Sequence, residues 1–493
     1  MAFDSFGLRM VFSAAVAASS LALPAASIDK VLVRQQWPWT TDVKVEYRLQ
    51  DVSTPVDILV ECSDGTATLP QDAVERSIIG KTHALTAEDN GIGFFYIDPV
   101  RLFGDEKISV SKFTVRLSLA SSDSNVLEPL YKIIDLETKE VTTLTRADFY
   151  NDRGAKYGDW VESFAAIGSS PVTDEPYTTS LEDVFIWTGV TNNIAYKTTK
   201  LVMRRIPAKN KSFVMGGAND YKNTAADNYS FTVSFTNDYY LAVFETTHKQ
   251  AQLLQGYAES AATLTDEEAV MPADKIAKIA STASTTYEQI RGLPTQWEGW
   301  PENVYAVAPD SALGRIRSVF TGLDFDVPTE AQWEYACRAG TETMYYSGVN
   351  PPKSTANYTA EVSALGWHSG NSDNKVHAVG LLKPNAFGLY DMLGNYGELT
   401  RDLHDISKSV CTSDGSVSGP AYPTVAEEPS GWMDKDEVLK VEPKKWGSLF
   451  RGESYGRNYD RTKSACRRGY YQKLDGTWAS YFGVRLFLPA EQD

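Results

Sequence analysis

Apolar and polar residues alternate along the first quarter of the chain with the period of a half-buried strand. Val43, Val45, Tyr47 and Leu49 are separated by Lys44, Glu46 and Arg48, which gives one strand an apolar face and a wet face. Val56, Ile58, Val60 and Cys62 repeat the pattern, as do Phe113, Val115, Leu117 and Leu119, with Gly and Pro between the runs. Short alternating runs punctuated this way predict an immunoglobulin-like β-sandwich over residues 27–120. Trp37 and Trp39 flank Pro38 and read as aromatic anchors under the sandwich edge in preference to a sugar-stacking platform.

Residues 121–200 read as a connector with some strands, including a hairpin tipped by Glu137 to Glu140. Its Trp160, Phe185 and Trp187 predict docking against a neighbour. At Leu201 the pattern changes to strand, turn and strand (LVMRRIPAKNKSFVMGG), then to the alternating FTVSFTNDYYLAVFETT. In DKIAKIASTASTTYEQI, Ile276, Ile279, Ala280 and Ala283 share a helical face. Thr329 opens TEAQWEYACRAG, a capping-box spacing that predicts a short helix carrying Trp333, Ala336 and Cys337 and stopped at Gly340. The fold class is therefore α+β, with residues 201–493 forming a C-terminal domain.

The densest stretch is Pro384 to Asp402, PNAFGLYDMLGNYGELTRD. Gly388 and Gly394 suit positive φ, while Phe387, Leu389, Met392 and Leu393 are too apolar for a free loop, so buried irregular structure is expected. Oxygens from Asp391, Glu398 and the carbonyls between them could gather around a hard cation. Equally, both carboxylates could cap turns or pair with an arginine such as Arg401.

Length and charge narrow the reading. A chain of 493 residues needs more than one core. Its net charge of −17 disfavours nucleic acid and anionic membranes. Val11 to Ala26, VFSAAVAASSLALPAA, reads as the end of a signal peptide over residues 1–26, too short to span a bilayer. The expectation is a secreted, periplasmic or cell-surface protein without a membrane span. The other reading of this run is a buried N-terminal strand or helix. Export would permit disulfides among Cys62, Cys337, Cys411 and Cys466, whose connectivity spacing does not give.

Several phrases then fall in a familiar order: FVMGG at 213–217, VFETT at 243–247, VPTEAQWEYACRAG at 327–340, PNAFGLYDMLGNYGE at 384–398, RGESY at 451–455 and GVR at 483–485. Together they resemble the formylglycine-generating enzyme, or sulfatase-modifying factor, family. The resemblance implies a loop-rich fold related to C-type lectins, with structural calcium. It carries calcium ligation onto Asp391 and Glu398 with the carbonyls of Gly394 and Tyr396, and a second, divergent calcium site onto Asn357 and Tyr358. It also implies a disulfide between Cys337 and Cys466, which leaves Cys62 and Cys411 as thiols.

The family's chemistry departs at one turn. Sulfatase-activating members hold copper with two cysteines after this turn, whereas here RGESYGRNYDRTKSAC places Arg457 at the first position and Arg461 or Thr462 near the second. A soft copper ion needs thiolates, so no copper is expected and no catalytic residue is assigned. The five histidines lack the spacing of a facial iron site. What remains is a cationic group, Arg451, Arg457 and Arg461, with Trp367 and His368 as further cleft residues. The reading is a binding or scaffold module for a protein, peptide or acidic glycan, the alternative being a divergent enzyme that uses the same cleft with other residues.

Overall fold

The computed structural model describes residues 13–16, 26–36, 39–104, 110, 112–216, 230–254, 263–273, 287–292, 306–405, 410–411, 417–418, 425–428, 446–466, 468–473 and 482–490. The chain divides into two compact units: Met1–Leu130 with Leu144–Asp159, and Tyr131–Thr143 with Trp160–Asp493.

In the first unit, β1 (Ser13–Val16), β4 (Val56–Ser63) and β7 (Thr114–Ser121) form one sheet in the order β1-β7-β4. The second sheet has the order β2-β3-β6-β5, from Ser27–Gln35, Val43–Gln50, Gly91–Ile97 and Ile78–Ile79 respectively. Val43, Val45, Tyr47 and Leu49 from one sheet and Val56, Ile58, Val60, Cys62, Val115 and Leu117 from the other share a single core. The alternating runs therefore make a two-sheet sandwich, because each strand has one apolar face to bury. Strand β1 lies within the apolar run read as an export signal and pairs in parallel with Thr114–Leu117 of β7. Trp39 corrects one expectation: it is 87% exposed, so it anchors nothing beneath the sandwich. Trp37 lies outside the described residues.

The stretch read as a connector divides between the units. Its hairpin, β8 (Pro129–Asp135) and β9 (Val141–Thr145), enters a five-stranded sheet of the second unit. There β8 pairs with β10 (Lys200–Ile206), from Asp135 opposite Lys200 to Tyr131 opposite Arg204. Strands β11 (Ser212–Gly216) and β12 (Ser230–Phe235) pair with each other in a separate sheet, and β13 (Tyr239–Ala242) joins β10 to the strand Phe487–Pro489. Trp160 stacks on Phe185 at 5.3 Å, and the buried Trp187 meets Tyr131 and Tyr196 edge-on. All five aromatic residues lie within 121–200, so these contacts pack the segment on itself; Val184 and Ile186 join it to the core of the second unit. The amphipathic stretch 274–286 lies outside the described residues; the helix Tyr287–Arg291 follows it.

The helix Glu330–Arg338 begins and ends as its sequence requires. Gln332 N–H donates to Thr329 Oγ1 at 3.1 Å, and Thr329 N–H donates to Gln332 Oε1 at 2.9 Å. Ala339 and Gly340 then turn left-handed, at φ 44° and 81°. Beyond it, residues 341–396 are mostly loop outside the helix Thr355–Leu365, and the loop from Pro384 to Tyr396 is buried throughout. A four-stranded sheet of Arg468–Lys473, Trp446–Arg451, Gly397–Asp405 and Phe482–Gly483 backs those loops. Among the described residues no helix is long and apolar enough to cross a membrane.

Candidate functional site

Buried loops survive only if their backbone polar groups find partners, and three loops of the second unit supply one another's. Gly394 N–H donates to Gly452 O at 2.7 Å, Asn395 N–H to Trp367 O at 3.2 Å, Tyr455 N–H to Asn395 O at 2.8 Å and Ser369 N–H to Arg457 O at 2.8 Å. The segments around 367–377, 391–398 and 452–457 are thereby stitched together. Gly394, at φ 80°, must be glycine: a Cβ there would stand 1.7 Å from Trp367 O. Asn385 sets the entry to the central loop. Its amide donates to the carbonyls of Ala336 and Cys337 and its Oδ1 accepts from Phe387 and Leu389 N–H, so it finishes one helix while folding the next turn.

Behind the loops lies a buried charge cluster centred on Arg485. Its Nη2 donates to Glu398 Oε1 at 2.6 Å and Tyr390 O at 2.8 Å, Nη1 reaches Ala242 O and Val243 O at 3.0 Å, and Nε reaches both Glu398 oxygens at 3.0 Å. Glu398 Oε2 also accepts from Trp333 Nε1. Glu245 accepts from Asn395 Nδ2 at 2.8 Å and Tyr396 N–H at 3.0 Å. Burial, then the carboxylates of Asp391 and Glu398, push Glu245 well above the usual carboxylate range. Asp391, at φ 57°, accepts from Gly380 N–H at 2.6 Å through Oδ2, while its buried Oδ1 has no hydrogen-bond partner. Burial raises its pKa to about 6 against the opposing pull of Arg485 and Lys197.

The five residues expected to line a cleft separate into two groups. Arg451 is fully buried: it pairs with Glu330 at 3.2 Å and Glu334 at 2.7 Å and lies over the Trp333 ring. His368 is buried as well, with Nε2 at 2.9 Å from Ser363 Oγ and Nδ1 accepting from Gly370 N–H. Both are fixed in the scaffold. Trp367, Arg457 and Arg461 are half-buried. Trp367 stacks flat on His377, centroids 3.7 Å apart, and Tyr396 and Tyr455 lie 6.0 Å apart nearby in the same stitched loops.

This loop system sits in a stretch with known relatives. The family model of the sulfatase-modifying factor enzyme 1-like domain matches residues 198–488, more than half of the chain. The chain belongs to that family. A formylglycine-generating enzyme of Mus musculus is 30% identical over 137 residues, 27% of this chain and 32% of that protein. One of Mycobacterium tuberculosis is 32% identical over 121 residues, 21% of this chain and 38% of that protein. The chain thus matches less than half the length of either relative. Among solved structures, PvdO from Pseudomonas aeruginosa is 19% identical with a TM-score of 0.37, the match covering 59% of this chain and 94% of that one.

Two features carried over from the sulfatase-modifying factor family fare differently here. Cys337 and Cys466 are both buried with no disulfide between them, which corrects the expected pairing. Burial pushes the Cys337 thiol up to about 12, and a protonated, enclosed thiol does not attack an oxidant or disulfide. Cys62, in the sandwich core, is likewise an unbonded thiol raised to about 12 by burial; the Cys411 side chain lies outside the description.

For calcium, Asp391 fits, since its unpartnered Oδ1 is a buried hard oxygen. Glu398 is committed instead to Arg485 and Trp333. Asn357 is used locally, its N–H donating to Ser354 Oγ at the start of the helix Thr355–Leu365. Among the described residues no three His, Cys, Asp or Glu side chains form a metal cluster. A cation on this loop would rest on Asp391 together with carbonyl oxygens such as those of Gly394 and Tyr396.

Proposed function

We propose that this chain is an exported binding or scaffold protein whose sulfatase-modifying factor domain presents a ligand cleft in place of a copper oxidase centre. The observation that carries this is the residue set after the Gly452 turn. Arg457 and Arg461 are half-buried cations, and Thr462 is buried with its hydroxyl donating to Tyr459 O at 2.8 Å. Guanidiniums repel a cation and offer it no lone pair, so two thiolates converging on copper have no counterpart at these positions. The same groups suit carboxylates and sulfates, which accept bidentate hydrogen bonds from arginine.

The ligand of this reading is an acidic peptide or glycan, bound beside Trp367 and the Tyr396–Tyr455 pair. Calcium at Asp391 is structural, holding the loop that carries Tyr396. Export rests on the apolar run before Ala26.

The test has two arms. Purified protein incubated with a cysteine-containing sulfatase peptide, Cu(I) and oxygen leaves the cysteine mass unchanged, and conversion above a no-enzyme control would refute the loss of oxidase chemistry. Calorimetric titration with heparin and with an acidic peptide shows binding that weakens at least tenfold in Arg457→Ala/Arg461→Ala. Equal affinity of this variant would remove the cleft from the proposal.

A further inference from the structure

A second unsatisfied place lies where residues preceding the family match meet the family domain. Glu361, on the helix Thr355–Leu365, has no solvent exposure. Its Oε2 accepts from Ser170 Oγ at 2.6 Å, and its Oε1 is buried without a hydrogen-bond partner. Tyr177 is 1% exposed and its hydroxyl is likewise buried and unpartnered. The two meet at one turn: Tyr177 N–H donates to Gly168 O at 3.0 Å, closing the turn that carries Ser170, the partner of Glu361, and burial, then the Glu361 carboxylate, push the hydroxyl above its usual range. Ser170 has no spare capacity, because its oxygen also accepts from Val172 and Thr173 N–H.

Among the described residues Glu361 makes no ion pair, although an ammonium stands near Tyr177. The Lys383 ammonium stands 4.8 Å from the centroid of the Tyr177 ring, in the space left by Gly168, and makes no ion pair with Glu361. A carboxylate in a dry interior without an ion pair is far more costly than a neutral orphan, and a lone water would leave its charge uncompensated. A calcium ion asks for six to eight oxygens and more negative charge than one carboxylate offers.

We propose that Glu361 Oε1 and the Tyr177 hydroxyl hold a buried monovalent metal ion, potassium or sodium, with water completing its shell. The ion ties the turn at 168–177, which lies outside the family match, to a helix inside it. It uses neither Asp391 nor the cleft residues Trp367, Arg457 and Arg461.

The test is calorimetry on the full chain with chelator present throughout, at equal ionic strength in potassium, sodium or tetramethylammonium chloride. The melting temperature of the second unit is expected to be several degrees higher with potassium or sodium than with tetramethylammonium. Glu361→Gln, which keeps the shape and the Ser170 hydrogen bond, is expected to abolish that difference, and Tyr177→Phe to reduce it. Identical melting in all three salts would overturn the site in favour of a bridging water, and a cation effect that persists in Glu361→Gln would place the ion elsewhere. Should Glu361→Gln fail to fold, the native chain soaked with thallium decides: an anomalous peak beside Glu361 supports the site, and its absence refutes it.

Discussion

Replacing Arg485 by methionine removes the cation at the centre of the buried cluster while nearly keeping its stem. Glu398 then loses the ion pair at 2.6 Å, and the carbonyls of Ala242, Val243 and Tyr390 lose their donors. Breaking one side of a buried pair costs about 3–5 kcal/mol. Each carbonyl adds up to about 1 kcal/mol, less where its second lone pair or an entering water compensates. The expected loss is about 4–6 kcal/mol, or roughly 10 °C or more in the melting of the second unit. Scanning calorimetry of the whole chain is the assay, because it resolves the two units and the sandwich transition serves as an internal control. Arg485→Lys should fall between, keeping the charge but not the five-donor fork. Arg485→Met/Glu398→Gln should recover part of the loss, since the remaining amide still accepts from Trp333 without carrying an unpaired charge. If Arg485→Met costs less than about 1 kcal/mol, or the double variant is worse than the single by the full cost of Glu398→Gln, the cluster is not held by this pair.

Three further outcomes follow from the geometry. Burial depresses His368 below its ordinary 6.5, so the unfolded chain binds more protons; its contribution is fully present above pH 6.5 and is lost as pH falls through that value, and His368→Asn should flatten urea stability between pH 5 and about 6.5. Persistence of the full pH slope would remove His368 from the account. If calcium sits on Asp391, chelation lowers the melting of the second unit and spares the sandwich, Asp391→Ala melts like the chelated protein, and elemental analysis finds the metal; no change on chelation would sink it. Cys337 and Cys466 should alkylate only after denaturation, without reductant, and a Cys337–Cys466 peptide in non-reducing maps would show that oxidation reshapes this part of the fold.

The elements that could be read in the sequence are those governed by neighbours in sequence. Alternation sufficed for β3, β4 and β7, and Thr329 with Gln332 declared a helix start because a capping box closes within one turn. The loop 384–402 was legible as buried because its apolar residues sit among glycines. Its chemistry was not. Glu245 bonds Asn395 across 150 positions, and nothing in VFETT distinguishes a buried carboxylate from an exposed one. Arg451 counted as a cleft cation until the structure enclosed it between Glu330 and Glu334, carboxylates that lie far away in the chain. The hairpin β8–β9 looked like a connector because its partner β10 starts 65 residues on from Asp135. Trp39 illustrates the reverse error: an aromatic residue is no guarantee of burial when the turn that carries it faces water.

The sheet order of the second unit also dictates when it can exist during synthesis. Its five strands include residues 129–145 and 487–489, and its central cation is Arg485. Until that last stretch clears the ribosome, β13 has an open edge and Glu398 has no counter-charge, whereas every strand of the sandwich is complete by Ser121. The sandwich therefore folds first while the larger unit waits on the tunnel, exposing apolar surface that a chaperone must shield. Nascent chains stalled before residue 485 should bind such a chaperone and be cut by protease within 200–400, whereas chains extended until Phe487–Pro489 has cleared the tunnel should do neither.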